Sequence, residues 1–381
     1  MFAGVTEETG RRGGARAPGS AGGSSRLRCF FLFNFDMEYE LACYRRGEAA
    51  AHRLIGLADC ERLGHEAVRC PAPPRWAGSS GLWFRLFQTV WGVLRQRRID
   101  FAIATHEAAA LPVLLARRLG LFRRPVVVLA LSLLHPRECA GWRGWLWRRL
   151  LPRADAVVAV TRAQIPWLAE EYGVDPRRIH FVPVGVDTAF FAEQGDGTAA
   201  AEPGTCLAAG TQSGRDLATL VRAAPAGCTV RLLVTPELAA QVSGLAPAGV
   251  RVEVLAPVPM VRLREHYRRA AVHVVPLVRT RYGSGHTVLV ENMAMGKVVV
   301  VTDVPTVRDY VTEGETAILV PEGDVGRLRD VLARVLAEPG AFAHLGRAAA
   351  RVARERLDSA AVTDQWMQIG RRLTGRRDVG R

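Results

Sequence analysis

No stretch of the chain offers the roughly 18 to 20 consecutive apolar residues that a membrane-crossing helix needs, because Arg or another polar residue interrupts every candidate. A spanning helix is therefore not expected. The seven cysteines, at positions 29, 43, 60, 70, 139, 206 and 228, are odd in number and contain no CxxC pair, so neither a disulfide framework nor a zinc site is indicated. No GxGxxG follows the first expected strand, where LFNFDMEYE stands instead, and the fingerprint of a dinucleotide-dependent oxidoreductase is missing. No zinc-finger or RNA-binding signature occurs, and no Asp-x-Asp pair is placed to hold a metal-nucleotide. Residues 1–26 lack the apolar segment and cleavage site of a signal peptide. They read as a disordered tail, and the protein as cytoplasmic.

Acidic residues are in the minority. Against 51 Lys and Arg stand 37 Asp and Glu, a formal charge of +14 that favours anionic partners: nucleic acid, acidic lipid or phosphorylated small molecules. At 381 residues, 49% hydrophobic and 23% charged, the chain is long enough for two domains with sizeable cores. Short β-branched runs alternate with helical patterns, the signature of parallel sheets covered on both faces. In the first half the expected strands are Cys29–Phe33, Ala67–Arg69, Phe101–Thr105, Val126–Leu131 and Ala156–Val160, with helices that include Glu48–Arg62 and Glu107–Leu119. The rhythm pauses at a polar stretch, Glu193–Gly204, which reads as a linker. It resumes with strands near Cys206–Ala209, Thr229–Val234, Arg251–Leu255, Val272–Val275, Val298–Val301 and Ala317–Val320. Three long helices close the chain, the last near Ser359–Leu373.

The most informative segment is YGSGHTVLVENMAMGKVVVVTD, which begins at Tyr282. A Gly-Ser-Gly loop opens an amphipathic helix carrying one carboxylate, Glu291, and a buried strand follows. The first amides of such a helix lack partners and its dipole favours negative charge, so a phosphate is the natural guest. Glu291, one turn beyond Thr287, is placed to reach the hydroxyls of a sugar attached to that phosphate.

Four elements in order extend the pattern: Pro183–Phe190 (PVGVDTAF), Gly210–Asp216 with its Arg-Asp pair, the ENMAMGKVVVVTD block from Glu291, and the EGETAILVPEGD block from Glu313. Their order resembles the GT-B fold and, within it, the retaining nucleotide-sugar glycosyltransferases of glycosyltransferase family 4. The resemblance covers roughly residues 180–340; the first half matches only in its strand–helix rhythm. It implies an α/β protein of two doubly wound, Rossmann-like domains with an interdomain cleft: tail 1–26, acceptor domain 27–190, nucleotide-sugar domain 191–357, and a C-terminal helix and tail, 358–381, packing back on the first domain. It also assigns roles. Gly210 and Arg215 would meet the donor diphosphate, and Ser284, Gly285, Thr287 and Val288 would cradle the distal phosphate or sugar. Glu291 would bind the ribose, and Val258, in the loop Pro257–Met260, would adjoin the base. Two departures stand out: the first of the family's paired glutamates would fall at Gly283, and the usual basic residue after the phosphate-loop glycine is Thr211.

The reaction so implied moves a glycosyl group to an acceptor hydroxyl with retention, stabilising the leaving diphosphate without a metal or other cofactor. Expected partners are the nucleotide-sugar donor and a small-molecule or lipid-linked acceptor, with no nucleic acid. Three histidines are candidate catalytic groups: His286 in the loop, and His106 and His135, which follow strands at carboxyl ends, where function collects. Either of the last two could equally cap a helix. A catalytically impaired GT-B scaffold serving as a partner subunit is the alternative that Gly283 keeps open. Five tryptophans lie in two basic segments, Leu82–Arg98 and Trp142–Arg153. These suit either helices lying at an anionic membrane surface, with the protein peripheral at the inner face of the cell membrane, or core helices whose Arg ends reach solvent.

Overall fold

The computed structural model describes residues 26–74, 78–192, 201–211 and 214–376. Of the expected N-terminal tail only Arg26 is among them, and most of the expected linker also lies outside the described residues. Two six-stranded sheets carry the architecture. The first contains β1 (Arg28–Leu32), β2 (Glu66–Arg69), β3 (Phe101–Ala104), β4 (Val126–Ala130), β5 (Ala156–Ala159) and β6 (Ile179–Phe181), in the order β2-β1-β3-β4-β5-β6. The second contains β7 (Glu202–Ala209), β8 (Thr229–Leu233), β9 (Arg251–Leu255), β10 (Ala270–Val275), β11 (Val299–Thr302) and β12 (Ile318–Val320), in the order β12-β11-β10-β7-β8-β9. Every pairing is parallel, from β1 with β2 through β11 with β12.

Sequence explains the strands directly. FAIA of β3, VVVLA of β4 and VVVT of β11 are unbroken apolar or β-branched runs whose residues are all buried, as a sheet covered by helices on both faces requires. The order reverses between β1 and β3 in the first sheet and between β7 and β10 in the second. In such sheets ligands sit beyond the carboxyl ends of the strands flanking the reversal.

Two expectations change. The helix Glu48–Arg62 is broken: a 3-10 turn, Ala51–Leu54, ends at Ile55 and Gly56, both left-handed, before a short helix, Leu57–Arg62. The stretch around Ile179, read as the end of the first rhythm, is the sixth strand.

The helix Ser359–Thr374 crosses back onto the first domain. Its Val362, Trp366, Met367 and Ile369 join a core cluster with Phe31, Leu57 and Phe101. Between the domains, Asp309 accepts hydrogen bonds from the Thr161 hydroxyl (2.6 Å), the Arg162 amide (2.7 Å) and the Arg162 guanidinium (2.8 Å). Beside it the Tyr310 hydroxyl donates to Val160 O (2.5 Å) and accepts from the Val184 amide (2.9 Å). Among the described residues no helix is long and apolar enough to cross a membrane.

Candidate functional site

A cavity of about 350 Å³ opens at the carboxyl ends of the second sheet, where the strand order reverses. Backbone pairing builds its floor. The Asp216 amide donates to Pro276 O (3.1 Å) and the Val278 amide to Gly214 O (3.2 Å), stitching residues 214–216 to the exit of β10 and setting Arg215 beside the Gly-Ser-Gly loop. Asp216 then caps the helix Leu217–Ala223 through the Thr219 amide (3.0 Å).

The Arg215 guanidinium lies between two glycines. A Cβ at Gly210, where φ is +143°, would come within 2.5 Å of its Nε and Nη2. A Cβ at Gly285, where φ is +81°, would collide with Nη1 and come within 2.8 Å of Leu277 Cδ2. Neither place admits a side chain, so both glycines follow from this packing as well as from their backbone angles. Arg215 Nε and Nη1 are shielded from solvent and have no partner among the described residues. Burial drives its pKa down to about 10 although Tyr267 and Glu291 oppose the fall; the group stays protonated at neutral pH. A buried cation with two unused donors is a site prepared for an anion.

Around it stand the other lining groups. The helix His286–Ala294 starts at Gly285, and Gly285, Thr287, Val288 and Glu291 all line the cavity. The first-turn amides have no intrahelical acceptor. Glu291 is only 3% exposed; its carboxylate accepts from the Tyr267 hydroxyl (2.9 Å) and meets His52 Nε2 at 3.3 Å. His52 Nδ1 accepts the Asp187 amide (3.1 Å), which places the ring proton on Nε2, so His52 donates to Glu291. Pro257, Val258 and Met260 supply the apolar wall.

Gly210, Arg215, Gly285, Thr287, Val288, Glu291 and Val258 thus converge on one cavity. Ser284 is buried and does not line it. The histidines need correction. His286 is 3% exposed, stacked on Tyr310 at 4.7 Å, and bonded through Nε2 to Thr306 O (2.7 Å). Burial lowers its pKa to about 4, so it is a neutral packing residue behind the loop and not a group facing substrate. His106 caps the helix Glu107–Arg118 through the Ala108 amide (3.2 Å) and borders a separate hollow. His135 caps the helix Pro136–Cys139 and packs on Tyr282. Both take the helix-cap role that sequence left open.

Sequence reasoning missed His52 and Arg53. Both sit in the turn that breaks the expected helix, and Gly56, a glycine inside a helical pattern, was the available signal. Arg53 lines the cavity from the first domain while its guanidinium meets Glu40 at 3.2 Å. A second cavity, about 310 Å³, adjoins the first and shares Arg53 and Thr287 with it. Its walls come from just beyond β1, β4, β5 and β6, at Phe35, Leu131, Val160 and Val182, and from the returning C-terminal helix.

At Gly283 there is no room for a longer residue. A Cβ there would lie 2.9 Å from both His286 Nδ1 and Val160 Cγ2.

Comparison with known proteins agrees with this frame. The family Glycosyltransferase Family 4 matches residues 36–190, and Glycosyl transferases group 1 matches residues 215–338. The D-inositol 3-phosphate glycosyltransferase of Geodermatophilus obscurus is 32% identical over 232 residues, 52% of this chain and 50% of that one. The protein of the same name from Xylanimonas cellulosilytica is 32% identical over 255 residues, 60% of each chain. The chain thus spans about half to three fifths of the length of the curated relatives it matches. Among solved structures, Anabaena HepE in complex with UDP-glucose superposes with a TM-score of 0.68 at 16% identity, covering 90% of this chain and 99% of that one. The sucrose-phosphate synthase of Thermosynechococcus elongatus gives 0.70 at 16% identity, covering 93% and 100%. Two successive matches to glycosyltransferase family models, one on each of two parallel, doubly wound sheets, give this chain the GT-B fold and a resemblance to glycosyltransferase family 4.

Proposed function

We infer that the chain transfers a sugar from a nucleoside diphosphate sugar to an acceptor hydroxyl, with retention at the anomeric carbon. The observation that carries this reading is Arg215, a buried guanidinium with two unpartnered nitrogens set between Gly210 and Gly285 at the start of the helix bearing Glu291. As the anomeric bond breaks, negative charge grows on the diphosphate, and fixed donors in a low-dielectric cavity stabilise that charge without reorganising. Arg215 and the amides around Thr287 supply those donors, Glu291 takes the ribose hydroxyls, and the Val258 wall receives the base. Arg53 adds a second positive charge from the opposite domain. No metal has a role in this reading. The relatives' names and the UDP-glucose bound to HepE support a nucleotide-sugar donor; the acceptor is a natural product or a lipid-linked glycan precursor.

The test is thermal shift with UDP, GDP and dTDP and their sugar conjugates. One nucleoside diphosphate should stabilise the protein, and Arg215→Ala and Glu291→Ala should remove that response. Melting temperatures indifferent to every nucleotide would refute the reading.

A second reading, a GT-B scaffold without transfer activity, draws on the crowding at Gly283, which leaves no space for a carboxylate beside the sugar. Nucleotide binding without turnover across a donor panel would favour it.

The first domain's surface supports a membrane-proximal site of action. Trp83 (63% exposed), Trp142 (70%) and Trp145 (57%) project from the helices Gly81–Arg95 and Gly141–Leu150, among Arg side chains. Such a face suits the headgroup region of an anionic bilayer, with the enzyme cytoplasmic and peripheral at the inner leaflet. Sedimentation with liposomes tests this: no binding to acidic vesicles at low salt removes it.

A further inference from the structure

The second cavity has a chemistry of its own. Most of its wall is apolar: Phe35, Leu131, Val160, Val184, Val362 and Trp366. Its polar lining groups are His52, Arg53, Thr287, Ser359, Thr363 and the indole of Trp366, and Arg53, at the edge shared with the donor cavity, is the fixed positive charge among them. A phosphorylated polyol placed there would exchange water around a dianion for a mainly apolar wall with one fixed cation, which is costly. An uncharged ring would bury its faces favourably.

Three further features mark the cavity as built for a ligand. Trp366 is 8% exposed, lines the wall, and carries an indole Nε1–H with no partner among the described residues. Ile55, also in the wall, is the one non-glycine residue with positive φ (46°) among the described residues; a β-branched side chain in that region is strained. Its neighbour Gly56 packs so close to Trp366 that a Cβ would lie 2.6 Å from the indole ring. The strained turn therefore sets His52, Arg53 and Ile55 along the second cavity, with Arg53 also lining the donor cavity. Finally, the two cavities meet at Thr287 and Arg53, so a hydroxyl reaching out of the second would arrive beside the helix start that is prepared for the leaving phosphate.

We propose that this cavity binds the acceptor, and that the acceptor is a small uncharged ring compound, an aromatic or alicyclic alcohol, whose oxygen accepts a hydrogen bond from Trp366 and whose reacting hydroxyl points to Thr287. The proposal rests on the glycosyltransferase reading and narrows it. It separates this chain from relatives named for D-inositol 3-phosphate.

The test is titration calorimetry of the full chain with 1-naphthol, an uncharged hydroxylated ring, beside D-inositol 3-phosphate. Naphthol should bind at least about tenfold more tightly. Trp366→Phe, which keeps a ring and drops the donor, should weaken naphthol binding by about fivefold, the loss of one hydrogen bond. Val184→Phe, which fills the space, should abolish it. Both variants should keep the wild-type thermal response to nucleoside diphosphate, which shows that they fold. Tighter binding of the inositol phosphate, no binding of naphthol, or naphthol binding unchanged in both variants overturns the proposal while the donor reading stands. No response of the wild type to any nucleoside diphosphate overturns the glycosyltransferase reading, and the acceptor role with it.

Discussion

Replacing Arg215 by Met should make the empty protein more stable and at the same time insensitive to nucleotide. Burial lowers the guanidinium pKa from its ordinary value to about 10, which corresponds to roughly 3 kcal/mol against the charged form in the folded state. The sign is that of a base whose folded pKa is depressed. The unfolded chain holds its proton more tightly, so the cost is fully present below about pH 10 and is relieved as pH rises through that value. At neutral pH the wild type carries all of it. Nε and Nη1 add to the penalty because no group of the described residues satisfies them. A methionine of similar length removes the charge and the orphaned donors while filling much of the volume. With partial relaxation the expected gain is on the order of 1–3 kcal/mol, or about 2–10 °C in Tm for domains of this size. In the wild type, nucleotide at a hundred times its Kd should add about 2.7 kcal/mol. In Arg215→Met that increment should vanish. Differential scanning fluorimetry with and without nucleotide reads both effects. A variant that melts below the wild type, or keeps the nucleotide-induced shift, refutes the idea that this cation is held at a cost for an anion.

Acid should destabilise the protein from neutrality downward, since burial holds His273 at about 3 and His286 at about 4. The unfolded chain takes up those protons near pH 6.5 and the folded one does not, so each costs up to about 1.4 kcal/mol per pH unit as pH falls from about 6.5 toward 4. Urea midpoints between pH 7 and 5 should show this, and His286→Gln should shallow the slope; an unchanged slope refutes it. Asp309→Ala should strip the Thr161 hydroxyl and Arg162 amide of their acceptor and loosen the domain pair at a cost of about 2–3 kcal/mol. Unaltered small-angle scattering and Tm would refute the clamp. Gly283→Glu, which inserts the carboxylate common in family 4, should lower stability by about 1–3 kcal/mol through overpacking on Val160 and His286, with no gain in transfer. Higher turnover at unchanged Tm would refute that account.

How much was legible in the sequence varies by element. Strands such as VVVLA and VVVT were readable because a strand covered on both faces must be apolar at every position, and that constraint is local. The Gly-Ser-Gly loop and the helix after it were readable for the same reason: a glycine pair, a helix start and one carboxylate lie within ten residues of sequence. His286 was misread because residue type and position in a loop do not say which way a ring turns. His286 was claimed by Thr306 and Tyr310, residues twenty or more positions away. The helix Glu48–Arg62 was misread because helical spacing of apolar residues does not reveal the left-handed turn at Ile55 and Gly56, against which Trp366, some three hundred residues later, packs.

The sequence by itself determined two parallel, doubly wound sheets and a glycine loop at the start of the Glu291 helix, because hydrophobic period, turn residues and helix starts act over a few residues. Only the tertiary structure decided that Arg215 lies between Gly210 and Gly285 with no partner among the described residues, that His52 and Arg53 reach across from the other domain, and that a mainly apolar cavity stands beside the one Arg215 lines. Those properties are made by side chains distant along the chain, and their burial, spacing and charge exist only once both sheets and the returning C-terminal helix have closed around them.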